Sequence, residues 1–124
     1  MPQVVRAYPV LPGFEAKTMA IAREMKGARA REAREFFRHH GIARESWHAQ
    51  TTPNGMWIIA VTDIPDKPVV QAARDYAASV LPFDRWLKDQ VKIVTGIDPD
   101  KDPLGPPTDC IFDSVIDTDE TAGD

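Results

Sequence analysis

The chain has 124 residues, 43% of them hydrophobic and 27% charged, and a net charge of −4. That is the size and make-up of one globular domain able to bury its own core, and the acidic balance argues against a nucleic-acid partner. No stretch approaches the roughly 18 apolar residues of a membrane span, the N-terminus lacks the signal-peptide pattern, and the one cysteine, Cys110, has no partner for an intrachain disulfide, so the expected setting is reducing and cytoplasmic.

Val4 to Leu11 is short and β-branched and stops at Pro12-Gly13, which reads as a strand, with Pro9 suiting an edge position or a strand end. Phe14 to His40 is a long helical stretch whose Phe14, Ile21, Met25, Ala33, Phe36 and Phe37 approximate one apolar stripe, bent or interrupted at Gly27. His39 and His40 fall in its last turn, where imidazoles suit the helix dipole, and Gly41 is the expected C′ residue. Arg44 to Thr62 then spells a β-hairpin around Thr52-Pro53-Asn54-Gly55, a sequence with the chemistry of a type I turn. In that register Thr51 faces Met56, while Ala49/Ile58 and Trp47/Ala60 share one apolar face. The other face carries Gln50 beside Trp57, His48 beside Ile59 and Ser46 beside Val61. Trp, Ile and Val in a row are not what a solvated face holds, so this second face is also expected to be covered.

A second helix is expected from about Pro68 to Ser79. Pro82 breaks it, and Phe83, Trp86, Leu87, Gln90, Val91 and Val94 form a further amphipathic piece ending at Gly96. A Pro/Asp loop follows, Cys110 to Ser114 reads as a last short strand, and residues 115–124 read as an acidic, disordered tail beyond a single domain over 1–114. The order β-α-β-β-α-β, with the second helix split, is the ferredoxin-like α+β pattern: an antiparallel sheet with helices on one face and the other left open.

That layout resembles the dimeric α+β barrel superfamily. The motifs W-x-x-Q-x-T-P-x-G (Trp47 to Gly55) and P-F-D-x-W (Pro82 to Trp86) are similar to those of a group of short uncharacterised bacterial proteins. The resemblance implies a homodimer in which two ferredoxin-like subunits pack open face to open face and enclose a cavity in each half. The superfamily includes cofactor-free monooxygenases, muconolactone-type isomerases, polyketide-tailoring and haem-degrading enzymes, and non-enzymes, so the fold does not choose among them.

On the open face the expected lining is Arg6 and Tyr8 from the first strand, Ser46, His48 and Gln50 from the second, and Trp57, Ile59 and Val61 from the third. His48, taken to project from a central strand, is the candidate general base. Arg6 and Tyr8 are candidates to hold an oxyanion, and the remainder would shape a pocket for a small apolar ligand. Against this stands a structural histidine bonded across a dimer interface. Two functions follow: a cofactor-free oxygenase or isomerase acting on an apolar enolisable substrate, or a non-catalytic dimeric ligand-binding or interaction module. Haem ligated by His48 is a third option; no other cofactor is expected. Asp98, Asp100 and Asp102 open like a calcium loop, but Pro103 stands where glycine is needed, so no metal is expected. Cys110 reads as a small buried hydrophobe, Trp86 as core, and Trp47 as lying beneath the helices.

Overall fold

Thr52 to Gly55 reverse the chain as their chemistry dictates. Of the four only Gly55 has a positive φ, +123°, and Thr52 Oγ1 braces the turn by accepting from the Asn54 amide and donating to the Gly55 carbonyl. The computed structural model, which describes residues 3–118, pairs β2 (Arg44–Thr52) with β3 (Gly55–Asp63) in the register expected from the sequence, from Thr51 opposite Met56 to Ser46 opposite Val61. On the other side of β3 runs β1 (Gln3–Pro9), also antiparallel, so the sheet order is β1-β3-β2 and β3 is central. His48 therefore stands on an edge strand, not a central one.

The helices are α1 (Glu15–Lys26), α2 (Ala30–His39), α3 (Val69–Ala78), α4 (Pro82–Thr95) and the single turn α5 (Ser114–Asp117). The long helical stretch is divided at Gly27, whose amide still reaches back to the Arg23 and Glu24 carbonyls. α2 ends at His40 with Gly41 beyond it at φ +71°, and α4 begins on Pro82 and ends at Gly96 in the left-handed region at φ +76°.

Helices α1 to α4 all meet one sheet face. Ala33, Phe36, Phe83 and Leu87 form one buried cluster, joined by Met25, Phe37, Trp47, Tyr76, Trp86 and Val91. Val4, Ile64 and Ala72 form a second, joined by Ile42, Val69 and Leu104. Trp47 and Trp86 are thus where expected, and the Arg29 guanidinium stacks 4.2 Å above the Trp86 ring.

The expected fourth strand does not form. Residues 110–113 are irregular, Ser114 opens α5, and Cys110, Ile111 and Phe112 are exposed. Ile111 and Phe112 are adjacent and so would point to opposite faces of a strand. Asp113 instead caps α5 by accepting from the Val115 and Ile116 amides. What does lie along β1 is the segment just before, through one bridge between Arg6 and Pro107 and the Thr108 hydroxyl donating to the Val5 carbonyl at 2.6 Å. Of the expected tail, residues 115–118 form the rest of α5 and a turn, and 119–124 lie outside the described residues.

Candidate functional site

The cross-strand register divides the expected site between two faces. Arg6 pairs with Ala60 and Tyr8 with Ile58, which puts both side chains on the helix-covered side with Trp47. Ser46, His48, Gln50, Trp57, Ile59 and Val61 do share the opposite face. Arg6 and Tyr8 therefore do not join His48 within one chain. The parity of β1 is set by Val4 and Val10, both 6% exposed and on the same side as Arg6 and Tyr8. The alternative set, Val5, Ala7 and Pro9, offers too little bulk to fill the space under the helices. His48 itself is exposed, and its Nε2 lies 3.0 Å from the Ser46 hydroxyl.

The apolar cavity lies on the other side. Between sheet and helices is a cavity of about 130 Å³ with an almost wholly apolar wall that includes Ile21, Phe36, Trp47, Ile58, Tyr76 and Leu87. A few polar groups line it, among them Tyr8, His40, Glu45 and Thr62, and no lysine or arginine does.

Each of those polar groups is held from behind. Tyr8 donates its hydroxyl to the Leu104 carbonyl at 2.8 Å, and burial, reinforced by the Glu45 charge, pushes its proton affinity well above the ordinary range. Tyr76 is raised in the same way, first by burial. The Glu45 carboxyl accepts from Trp47 Nε1 at 2.9 Å and from the Thr62 hydroxyl at 2.8 Å. Burial raises its proton affinity all the same, the two hydrogen bonds offsetting only part of the desolvation.

His40 is the most constrained. It stands at the C-terminal end of α2, and its Nε2 lies 2.7 Å from Asp84 Oδ2, in the first turn of α4. Both side chains are 3% exposed. The negative end of one helix dipole thus meets the positive end of another through this contact. Ser79 donates its hydroxyl to the same Asp84 oxygen at 2.6 Å. An ionised carboxylate only accepts, so beside one, His40 Nε2 is the hydrogen-bearing nitrogen and donates. The arrangement is not a nucleophile triad, because the serine bonds to the carboxylate and not to the imidazole. It is a histidine fixed in orientation and tautomer, and its other nitrogen, Nδ1, is buried with no partner. No other cavity-lining residue has a buried side-chain polar atom without a partner, among the described residues.

His40 was visible in the sequence only as a helix-end residue. Its partner Asp84 is 44 positions away, and nothing local joins them. The sole trace is an acid in the first turn of a helix, in the P-F-D-x-W motif. Of the acidic loop once weighed against a calcium site, Asp100 is held by Lys88 Nζ and Arg85, which keep its carboxyl below the usual range. Among the described residues no group of three or more His, Cys, Asp or Glu side chains is placed to hold a metal ion. No family model, curated protein or solved structure matches this chain.

Proposed function

We propose that the protein is a non-catalytic module that binds a small apolar molecule in the cavity between sheet and helices. The observation that carries this reading is the cavity of about 130 Å³ with its almost wholly apolar wall. The volume is close to the roughly 150 Å³ that takes up a benzene ring in an apolar protein interior. A reaction of the oxygenase or isomerase type has less support, since the base and the oxyanion holders expected for it stand on opposite faces. Titration with toluene, followed by thermal shift and by methyl NMR signals of Ile21, Ile58 and Leu87, tests the reading. Saturable binding that moves those signals is expected; no binding at the solubility limit of toluene overturns it.

A second proposal rests on a different observation. On the open face Val5, Ala7, Ile59 and Val61 are partly exposed and Trp57 is 37% exposed. We infer that a second copy covers this face, giving a ferredoxin-like homodimer of the dimeric-barrel kind, with residues 106–108 where a fourth strand would run. Apolar burial at about 25 cal/mol per Å² makes such a row costly to leave in water. Light scattering at micromolar concentration checks it, and a mass near the 13.8 kDa of one chain would rule the dimer out.

A further inference from the structure

We infer that residues 110–117 are an arm that leaves its own chain and lies on the open sheet face of a second copy, setting Ile111, Phe112, Val115 and Ile116 against the row from Trp57 to Val61 of that copy. The inference rests on the second-copy reading above and names the segment that does the covering.

The arm is apolar and ordered, yet its own chain gives it little support. Ile111, Phe112, Val115 and Ile116 are 63 to 95% exposed, and no residue of α5 is buried. Hydrogen bonds within the turn close it all the same. Asp113 accepts from the Val115 and Ile116 amides, and its own amide donates to Asp117 Oδ2 at 2.6 Å. One helical turn does not hold in water by itself, so these four side chains need a surface to pack against.

Area points to the same surface. A stable interface takes about 800 Å² from each partner. The open face alone falls short: Trp57 is 37% exposed and Val5, Ala7, Ile59 and Val61 are partly buried, so the row exposes a few hundred Å² at most. The four side chains of the arm add on the order of 500 Å². Face and arm together reach the required size, and neither does so alone.

The course of the chain fits a partner better than a fold-back. The Ala7 amide donates to the Pro106 carbonyl and the Thr108 hydroxyl to the Val5 carbonyl, so this segment runs antiparallel to β1 along its outer edge. Past Thr108 it heads beyond the start of β1, away from its own Trp57 and Ile59, which stand opposite Pro9 and Ala7. An extended residue advances ~3.3 Å, so three residues after Thr108 span the ~10 Å width of a three-stranded sheet. Charge decides between face and arm as the contact. Residues 109–118 hold Asp109, Asp113 and Asp117 and no lysine or arginine, so two arms repel each other. The open face sets Arg44 opposite Asp63 and carries no such excess.

Cys110, exposed at the start of the arm, provides the test. A benzophenone maleimide attached there on the full chain bonds on irradiation to whatever the arm touches. Mixing 15N-labelled and unlabelled chains tells a link between copies from one within a chain. The expected product has twice the 13.8 kDa of one chain and joins Cys110 to residues 57–61 of the other copy. Links confined to one chain, or to another surface of the second copy, overturn the arm. Phe112→Asp combined with Ile116→Asp gives a second measurement that a folding defect does not obscure, since both side chains are exposed in the single chain. The dissociation constant of the dimer, read by sedimentation, should rise by roughly 10-fold or more. An unchanged constant overturns the arm and leaves the second-copy reading standing. A wild-type chain that is monomeric at micromolar concentration overturns both.

Discussion

Glu45 is a carboxyl whose neutral form the fold prefers, and this sets a direction for its pH dependence. In the unfolded chain it releases its proton near pH 4.3, whereas in the folded chain burial holds the proton to higher pH. Between those two values the native state binds the extra proton, so this group's contribution to stability falls as pH rises through the window. Glu45→Gln removes the loss, since an amide can accept from Trp47 Nε1 and donate to a turned Thr62 hydroxyl. The melting temperature of the variant is therefore expected to gain on that of the wild type as pH goes from about 4 to about 7; a constant difference would show that Glu45 ionises freely. Asp100 contributes oppositely. Lys88 and Arg85 depress its carboxyl, so that its support is present above the ordinary aspartate range and fades as pH falls through its lowered value. His40→Ala leaves the Asp84 carboxylate, in a site 3% exposed, with the Ser79 hydroxyl as its remaining donor, which is expected to cost about 3 kcal/mol. Asp84→Ala should cost a similar amount, and the double variant less than the sum by over about 1 kcal/mol, as for any two groups in one network. Urea unfolding of the three variants measures the coupling, and simple additivity would break the link between the two side chains.

At the scale of elements, α2 is the organising helix, because Phe36 touches Phe37, His40, Tyr76 and Phe83 at centroid distances of 4.8 to 5.5 Å. Phe36→Ala should cost about 3–5 kcal/mol, read from the urea midpoint; a loss below about 1 kcal/mol would mean the helix face is misplaced. The strap from Leu104 to Thr108 depends on Gly105, at φ +76°, where an added Cβ would run into the Tyr8 ring. Gly105→Ala should expose Tyr8 to hydrogen–deuterium exchange at its backbone neighbours and loosen the strap while leaving the hairpin protected. The contrast between these elements shows what a sequence makes readable. The hairpin was legible to the residue, since turn chemistry and alternation are both local. Helix ends at Gly41 and Gly96 were legible for the same reason. The face of β1 was not: Val4-Val5-Arg6-Ala7-Tyr8 carries apolar groups on both parities, and only packing under the helices selects Val4, Tyr8 and Val10. The fourth strand misled because Ile111 and Phe112 have strand composition, while Asp113 as a helix cap outweighs it. The cavity was unreadable, as it is assembled from three strands and four helices by contacts of long sequence separation.

For the molecule as a whole, the sheet has two faces with different consequences. One is covered by helices and lines the cavity; the other presents Trp57, Ile59 and Val61. Ile59→Asp separates them. If a second copy covers the open face, the charge dissociates the pair, and the melting temperature, concentration-dependent in the wild type, becomes independent of concentration. The cavity on the opposite side should still take up toluene. A variant that remains dimeric by light scattering would move the interface elsewhere.

Lys88 sits where no lysine is ordinarily found: its side chain is fully buried, and its ammonium is held by the Ala77 and Ser79 carbonyls and by Asp100 at 2.9 to 3.0 Å. An amine with all three donors engaged and no route to water is silent toward acylating reagents, whereas Lys17, Lys26 and Lys92, on the helix exteriors, are not. The chain thus carries its own clock. In a timed labelling experiment read by mass spectrometry, the exterior lysines should modify at once, and Lys88 only at the rate at which the junction of α3 and α4 comes apart.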